Sequence, residues 1–368
     1  MKVISVVGAR PQFVKLAPIA HEVSRRGVDH IIVHTGQHYD ANLSDVFFSD
    51  LQIPTPDVHL GVGSGSHGVQ TGAMLAALDA VLAEHAPDWV LVYGDTNSTL
   101  AAALSAVKLH LPVAHLEAGL RSFNRRMPEE HNRVLTDHAA DLLLAPTERA
   151  IRHLAAEGLA DRSVLVGDVM TDVLLTVRER VGDGPLPLLQ EAGLEPGEFY
   201  VATIHRAENT DDPARLAAIV DGLADLDRPV LLVAHPRLTA RASAAGLRLE
   251  VGAIRPYAPL PYPDLVATVA ASRGVITDSG GLQKEAFLLR VPCTTVRTET
   301  EWVETVELGW NVLVDPGSAI AVAAGRPTPP QTSQTPYGDG HAAARAVDAL
   351  EARVSGVHEC GDGVHPAV

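Results

Sequence analysis

Residues 274–286 read Gly274-Val275-Ile276-Thr277-Asp278-Ser279-Gly280-Gly281-Leu282-Gln283-Lys284-Glu285-Ala286. The apolar start of this stretch predicts a buried strand, and the second half predicts a helix. Ser279, Gly280 and Gly281 would lie at the helix N-terminus, where unpaired N–H groups and the positive dipole end favour a phosphate. Glu285 would lie about one to two turns into the helix, where a carboxylate can accept hydrogen bonds from ribose hydroxyls. A strand–turn–helix with an ordinary serine cap explains the same residues, so the nucleotide site depends on the rest of the chain.

Composition predicts a globular protein with two cores. The chain has 368 residues, and at about 150 residues per domain this length corresponds to two domains. Hydrophobic residues make up 46% and aromatic residues only 4%, so the cores must consist of Val, Leu, Ile and Ala. A formal net charge of −16 excludes a broad basic surface, and we therefore expect no nucleic-acid partner.

Cysteine content and hydropathy indicate the compartment. Two cysteines, Cys293 and Cys360, do not indicate a disulfide framework, and the reducing cytoplasm suits them. The apolar opening Met1–Val7 is too short for a signal peptide, and no uncharged apolar run approaches ~18 residues. We therefore expect a cytoplasmic protein without a membrane segment.

Short β-branched runs alternate with Ala- and Leu-rich stretches, which predicts parallel sheets with helices on both faces. The predicted strands are Val3–Val7, His30–His34, Trp89–Tyr93, Val113–Leu116, Leu142–Leu144, Ser163–Val166, Tyr200–Thr203, Val230–Val233, Gly274–Thr277 and Thr294–Arg297. The series restarts near Tyr200, after a Pro/Gly-rich turn at Gly182–Pro187. We predict an α/β protein of two doubly wound Rossmann-like domains that face a cleft. The domains would cover residues 1–168 and 169–340, followed at 341–368 by a helix that packs back on the first domain and a mobile tail.

Basic residues follow the first predicted strand. Arg10 and Pro11 come directly after Gly8-Ala9, Pro11 suits the first helical position, and Lys15 lies about one turn further on. Arg10 and Lys15 could both face a pyrophosphate at this helix start. A surface Arg and Lys on a proline-started helix explain the same residues.

Three carboxylates follow strands in the first half. Asp95 comes after Trp89–Tyr93, Glu117 ends the next apolar run, and Glu129 follows Pro128. An N-cap, a paired structural glutamate and a charged helix start are the ordinary explanations. We expect instead that the three side chains converge from three loops, where carboxylates in one dry site suit general acid–base catalysis.

The loop after Tyr200–Thr203 is unusually polar, since His205 and Arg206 are followed by Glu208 and Asn209. We expect His205 to face the ligand from the second domain, although a lone histidine at a strand end is more often structural. No metal is expected, because the chain has no H-E-x-x-H or paired-cysteine spacing. Serine hydrolase chemistry is not expected either, because no G-x-S-x-G elbow occurs.

Together these motifs resemble the non-hydrolysing UDP-N-acetylglucosamine 2-epimerases. The resemblance runs from Lys2 to about Leu313 and resumes at Pro336–Gly340. It rests on ordered blocks, which are Gly8-Ala9-Arg10-Pro11, His34-Thr35-Gly36-Gln37-His38-Tyr39-Asp40, Gly94-Asp95-Thr96, Glu117-Ala118-Gly119-Leu120-Arg121, Pro128-Glu129-Glu130, His205-Arg206 and Ser279-Gly280-Gly281. The resemblance implies a fold like that of the GT-B glycosyltransferases, a UDP-sugar substrate, no cofactor and a homodimer.

The resemblance also implies a reaction, inversion of C2 in UDP-GlcNAc to give UDP-ManNAc. UDP would be eliminated to leave a 2-acetamidoglucal and would then add back while C2 is reprotonated on the other face. The catalytic residues implied are Asp95, Glu117, Glu129 and His205. The implied UDP-sugar-binding residues are Arg10, Lys15, Arg206, Tyr262, Ser279, Gly280, Gly281, Glu285 and Arg297.

Several alternatives remain open at the level of sequence. The chain also resembles members that act on modified sugars such as UDP-linked diacetamido uronic acids. A hydrolysing epimerase, which releases UDP and free ManNAc, shares most of the motifs. A GT-B glycosyltransferase would need an acceptor, and a non-catalytic UDP-sugar sensor would keep the fold without turnover. The match near Gln37, His38 and Gln70 is too loose to predict a second, activating UDP-GlcNAc.

Overall fold

The computed structural model describes residues 1–37, 53–182, 184 and 186–360. The chain divides into two compact units, with Met1–Val173 and Thr335–Val368 in unit 1 and Leu174–Gln334 in unit 2. The sequence-based boundaries lie instead at residues 168 and 340. Residues 38–40 of the predicted motif and the end of the predicted tail, residues 361–368, lie outside the described residues.

Unit 1 contains a parallel sheet, which in the described residues has seven strands in the order β3-β2-β1-β4-β5-β6-β7. The strands are β1 Lys2–Val7, β2 Asp29–His34, β3 Val58–His59, β4 Trp89–Tyr93, β5 Val113–Leu116, β6 Leu142–Ala145 and β7 Ser163–Leu165. The helices are α1 Arg10–Arg25, α2 His67–His85, α3 Asn97–Lys108, α4 Pro128–Ala139, α5 Glu148–Ala156 and α6 Val169–Val181, with a 3-10 turn at Ala160–Arg162. The division between the units falls inside α6.

The order of the unit 1 strands reverses between β1 and β4, so the loops after these two strands flank a topological switch point. Alternate side chains of β1 enter different cores: Val3 and Val7 pack with α1, whereas Ile4 and Val6 pack with α2 and α3. A strand buried on both faces reads as a continuous apolar run, which is why sequence alone locates it.

Unit 2 repeats the same plan, with a parallel sheet in the order β10-β9-β8-β11-β12-β13 among its described residues. The strands are β8 Tyr200–Thr203, β9 Val230–Val233, β10 Ile254–Tyr257, β11 Gly274–Thr277, β12 Cys293–Thr295 and β13 Asn311–Leu313. The helices are α7 Pro187–Glu191, α8 Ala207–Thr210, α9 Pro213–Ala224, α10 Pro236–Ala244, α11 Tyr262–Ala271, α12 Gly280–Leu288, α13 Val303–Glu307 and α14 Ala319–Ala324. The switch point of unit 2 lies between β8 and β11.

The last helix, α15 Ala342–Cys360, belongs to unit 1 and packs against α1. The guanidinium of Arg26, just after α1, donates to Asp348 Oδ1 at 2.6 Å and to Glu351 Oε2 at 2.8 Å. At the start of α15, the carboxylate of Asp172 accepts from the backbone N–H of Ala342 at 3.0 Å and of Ala343 at 2.8 Å. The Asp172 contacts cap the N-terminus of the helix, and the Arg26 contacts attach it to the end of α1.

The predicted α/β class with two parallel sheets is confirmed, and the strand details differ in places. The strand expected at Thr294–Arg297 is Cys293–Thr295, because its pairing with β11 and β13 ends at Thr295. Sequence reasoning missed β10, which contains Pro256 and forms an edge of the sheet, where a residue without an N–H is tolerated. It also missed the short strands β3 and β13. Among the described helices, none is both long enough and apolar enough to cross a membrane.

Candidate functional site

Lys15 of α1 forms an ion pair with Glu117, which follows β5. The two side chains are 16% and 18% exposed, so the pair is largely screened from water. Burial lowers the pKa of Lys15, but the charge and hydrogen bond of Glu117 outweigh burial and leave that pKa above its usual value. A Cβ at Gly94 would lie 3.1 Å from Lys15 Nζ and 3.2 Å from Glu117 Oε2, and Gly94 has a φ of +62°. Glycine at this position therefore leaves room for the pair.

Asp95, directly after Gly94, forms an ion pair with Arg133 of α4. The backbone oxygen of Asp95 also accepts from Asn132 Nδ2 at 2.9 Å. Arg133 Nη1 makes a second contact, at 3.1 Å, with Glu130 Oε2. The loop after β4 is thus held by two consecutive residues of α4, a role that sequence reasoning missed because the partners lie 37 and 38 residues away.

Glu129, the third predicted carboxylate, lies in the first turn of α4, four residues before Arg133. Its side chain is half-buried. It makes no hydrogen bond or ion pair with a described residue. The structure therefore pairs Asp95 with Arg133 and Glu117 with Lys15. Glu129 lies one helical turn from Arg133 and has no partner among the described residues.

A buried charge network lies beneath these carboxylates. His115 of β5 contacts Asp137 Oδ1 of α4 through Nδ1 at 2.6 Å, and both side chains are 0% exposed. Arg121 Nη1 contacts Asp137 Oδ2 at 2.7 Å, and its remaining nitrogens bind Glu157 in a two-armed pair at 2.7 Å each. Burial would raise the pKa of Asp137, but His115 and Arg121 outweigh burial and hold that pKa below its usual range.

The Glu117 backbone has a strained conformation, with a φ of +73°. Non-glycine residues rarely adopt this left-handed region, and they keep it only where the surroundings hold them. Here the N–H groups of Glu117 and Ala118 both donate to Leu144 O, at 3.1 and 3.2 Å. Gly119 (φ +80°) donates to Asp137 Oδ2 at 3.1 Å, and a Cβ on it would lie 2.6 Å from Ala150 O.

In unit 2, His205 lies in the loop after β8 and contacts Asp278, which follows β11. The His205 Nδ1 to Asp278 Oδ1 distance is 3.1 Å, and the side chains are 40% and 0% exposed. Asp278 also accepts from the N–H groups of His205 and Arg206 and from Asn209 Nδ2, at 3.0–3.1 Å. Burial would raise the pKa of Asp278, but these donors hold it below its usual range. The contact between Asp278 and His205 orients the ring, a role for Asp278 that sequence reasoning missed.

Two more predicted unit 2 residues meet each other. Tyr262 of α11 donates its hydroxyl to Glu285 Oε1 of α12 at 3.0 Å. Burial and the negative charge of Glu285 raise the pKa of Tyr262, and burial raises the pKa of Glu285. A carboxyl group and a phenol thus form one polar patch about one and a half turns from the start of α12.

The start of α12 has the predicted strand–turn–helix form. Ser279 is the N-cap, and its side chain accepts from Leu282 N, as an ordinary cap does. A Cβ on Gly280 would lie 2.2 Å from Glu301 Oε1, whereas nothing lies within 4 Å of a Cβ on Gly281. Arg297 is bound to Glu301 at 2.9 Å. The N-terminus of α12 is therefore open above Gly281 and bordered by an ion pair.

Two predicted cations remain, Arg206 and Arg10. The guanidinium of Arg206 forms no ion pair with a described residue, although its backbone caps α8. The backbone of Arg10 begins α1, and its side chain lies outside what the structure describes. The described residues contain no cluster of three or more His, Cys, Asp or Glu side chains that could hold a metal ion.

Comparisons with known proteins agree on one family. The family model of UDP-N-acetylglucosamine 2-epimerases matches residues 21–351. A UDP-2,3-diacetamido-2,3-dideoxy-D-glucuronate 2-epimerase of Pseudomonas aeruginosa is 46% identical over 95% of this chain and 99% of its own length. A UDP-N-acetylglucosamine 2-epimerase homolog of Methanococcus maripaludis is 46% identical over 85% of this chain and 88% of its own length. The structure of UDP-GlcNAc 2-epimerase from Methanocaldococcus jannaschii has a TM-score of 0.86 and 37% identity, covering 96% of this chain and 100% of that one.

Proposed function

Because the chain belongs to the UDP-N-acetylglucosamine 2-epimerase family, we propose that it inverts C2 of a UDP-linked 2-acetamido sugar without hydrolysing it. The observation that carries this proposal is the pairing of Asp95 with Arg133 and of Glu117 with Lys15. Asp95 follows β4, which borders the switch point of unit 1, and Glu117 follows the neighbouring strand β5. A proton on a sugar carbon needs a base, and anionic side chains held in place by cations meet that need.

The proposed reaction has two balanced halves. In the first, a carboxylate takes the proton from C2, the C–H electrons form a C1=C2 double bond, and the C1–O bond breaks with its electron pair on the diphosphate of UDP. In the second, UDP oxygen attacks C1 of the 2-acetamidoglucal, and a second carboxylate protonates C2 on the opposite face. Among Asp95, Glu117 and Glu129, one carboxylate is the proposed base and another is the proposed acid.

Unit 2 supplies groups that favour the departing diphosphate. The Nδ1 atom of His205 contacts Asp278, and its Nε2 atom has no partner among the described residues. Arg206 and the open N-terminus of α12 add positive charge and N–H donors. Such groups stabilise negative charge as it develops in the transition state. We propose that Tyr262, Glu285 and Arg297 bind the nucleoside part of the substrate. Lys15 and Arg10 bind its sugar–diphosphate side in this proposal.

Two substrates fit the family. The Pseudomonas relative is named for a diacetamido glucuronate, and the Methanocaldococcus structure is named for UDP-GlcNAc. A substrate that carries a C6 carboxylate and a second acetamido group is favoured by coverage, because the Pseudomonas relative matches 95% of this chain and the equally identical Methanococcus homolog matches 85%. UDP-GlcNAc is the second candidate.

The test is incubation of the protein with each UDP-sugar in D₂O, followed by NMR of C2 and of the anomeric signals. We expect deuterium at C2 of both epimers and an intact anomeric phosphate on at least one of the two substrates. Release of free sugar in step with UDP would replace the proposal by a hydrolysing epimerase. No exchange on either substrate, with UDP-sugar still bound, would indicate a glycosyltransferase or a sensor.

A further inference from the structure

The His115 ring lies between two hydrogen-bond acceptors. Nδ1 lies 2.6 Å from a carboxylate oxygen of Asp137, and Nε2 lies 2.7 Å from the backbone oxygen of Gly94. Neither oxygen can donate a hydrogen bond when Asp137 is ionised, as its pairing with Arg121 requires. Each contact is a hydrogen bond only if that ring nitrogen carries a proton, so the geometry favours a ring with a proton on both nitrogens.

The two acceptors belong to different elements of unit 1. Gly94 O is in the peptide bond to Asp95, His115 lies two residues before Glu117, and Asp137 is on α4 about two turns after Glu129. Asp137 also binds the N–H of Gly119, on the other side of Glu117. The buried ring of His115 and the buried carboxylate of Asp137 thus connect all three segments that carry the proposed catalytic carboxylates.

We propose that His115 and Asp137 are positioning residues that set the placement of Asp95, Glu117 and Glu129 relative to one another. This inference rests on the proposed function, because it takes these three carboxylates as the groups that move the C2 proton. Neither His115 nor Asp137 needs to touch the substrate, since both side chains are 0% exposed. The strained backbone of Glu117 is held between two contacts of this network, so a change beneath it is transmitted directly to its carboxylate.

The kinetic test compares His115→Gln with wild type on the substrate that exchanges. Glutamine can donate to one of the two acceptors but cannot bridge both as a cation. We expect kcat to fall by about 10²-fold with KM little changed, because a displacement of about 1 Å in a catalytic group costs that much. Arg121→Lys, which keeps a charge beside Asp137 but not the two-armed pair with Glu157, should lower kcat less and in the same direction.

The matched control is His30→Gln. His30 is another histidine in the sheet of unit 1, where its Nε2 lies 2.8 Å from Ser5 Oγ, and its hydrogen bonds within the described residues do not reach the three carboxylate segments. We expect His30→Gln to lower stability while kcat stays at the wild-type value. If His115→Gln and Arg121→Lys also lower only stability and leave kcat unchanged, the positioning role is wrong.

Two further measurements do not depend on turnover. NMR of ¹⁵N-histidine-labelled protein at neutral pH should show one ring with two slowly exchanging N–H protons, and both should vanish in His115→Gln. Crystal structures of wild type and His115→Gln should show the carboxylates of Asp95 and Glu117 displaced relative to each other. A ring with a single proton, or carboxylates that keep their positions, would overturn the proposal. These two results decide it even if the wild type epimerises no UDP-sugar, which would refute only the proposed function.

Discussion

Each unit places a histidine against a buried aspartate, and the two pairs differ in what surrounds the histidine. In unit 1 the His115–Asp137 pair is 2.6 Å long with both side chains 0% exposed. In unit 2 the His205–Asp278 pair is 3.1 Å long, and the histidine is 40% exposed. Both nitrogens of His115 are occupied within unit 1, whereas only one nitrogen of His205 is occupied by a described residue.

The difference shows that a histidine–aspartate pair can have two different roles. A histidine enclosed on both sides holds backbone segments together and has no atom left for a ligand. A histidine held on one side has its orientation set by the aspartate while the other nitrogen stays available to a ligand, which is the arrangement expected of a group that contacts substrate. The aspartate is buried in both pairs, because a buried carboxylate with several donors gives a fixed point of attachment.

Removal of the Asp137 charge should have the largest effect. Asp137→Asn leaves His115 with no acidic partner among the described residues and leaves Arg121 with Glu157 alone, and breaking a buried pair in this way costs about 3–5 kcal/mol. The free energy of unfolding from urea titration should fall by that amount. A loss as small as that of a surface substitution would mean that the network contributes little to stability.

The proposed catalytic carboxylates should come next. Asp95→Asn, Glu117→Gln and Glu129→Gln should each lower turnover by roughly 10²-fold or more, because each removes a group that accepts or donates the C2 proton. UDP affinity, measured by calorimetry, should be largely kept, since the residues proposed to bind the nucleoside part of UDP are in unit 2. A variant with near wild-type activity would exclude that residue from the mechanism.

A smaller effect is expected at the His205–Asp278 pair. Asp278→Asn keeps an acceptor for the loop N–H groups but no longer holds His205 in one orientation, so turnover should fall by about tenfold, or about 1.4 kcal/mol in the barrier. The pH profile of kcat should change shape, while the unfolding free energy falls less than in Asp137→Asn. An unchanged pH profile together with unchanged turnover would show that Asp278 has only a structural role.

The last prediction concerns only the pH dependence of stability and involves His30, a partly buried histidine that forms no ion pair with a described residue. Burial lowers the pKa of His30 to about 4 from 6.5. The folded state binds this proton less well than the unfolded chain does, so the stability contribution is complete above pH 6.5 and is lost as the pH falls toward 4. His30→Gln should remove about 2 kcal/mol of this acid sensitivity, measured as unfolding free energies at pH 7 and pH 5. An equally steep fall in the variant would assign the sensitivity to other groups.

Sequence reasoning located the elements of the site better than their partners. The ends of β4, β5, β8 and β11 could be predicted because buried parallel strands are continuous apolar runs and polar residues follow them directly. Arg133, His115, Asp137 and Asp278 could not be recognised as partners, since an ordinary charged helix or strand end contains the same residue types. The edge strand β10 was missed for a similar reason, because its proline contradicts the usual strand pattern.

The sequence by itself determined the two doubly wound sheets, the family and the segments that carry the polar residues, because apolar periodicity and turn chemistry are local properties of the chain. Only the tertiary structure decided which charges meet. Lys15 and Glu117 are 102 residues apart, and His205 and Asp278 are 73 apart. Such pairs form when strand order and helix packing bring distant loops to the same edge of a sheet, and spacing along the chain does not specify that edge.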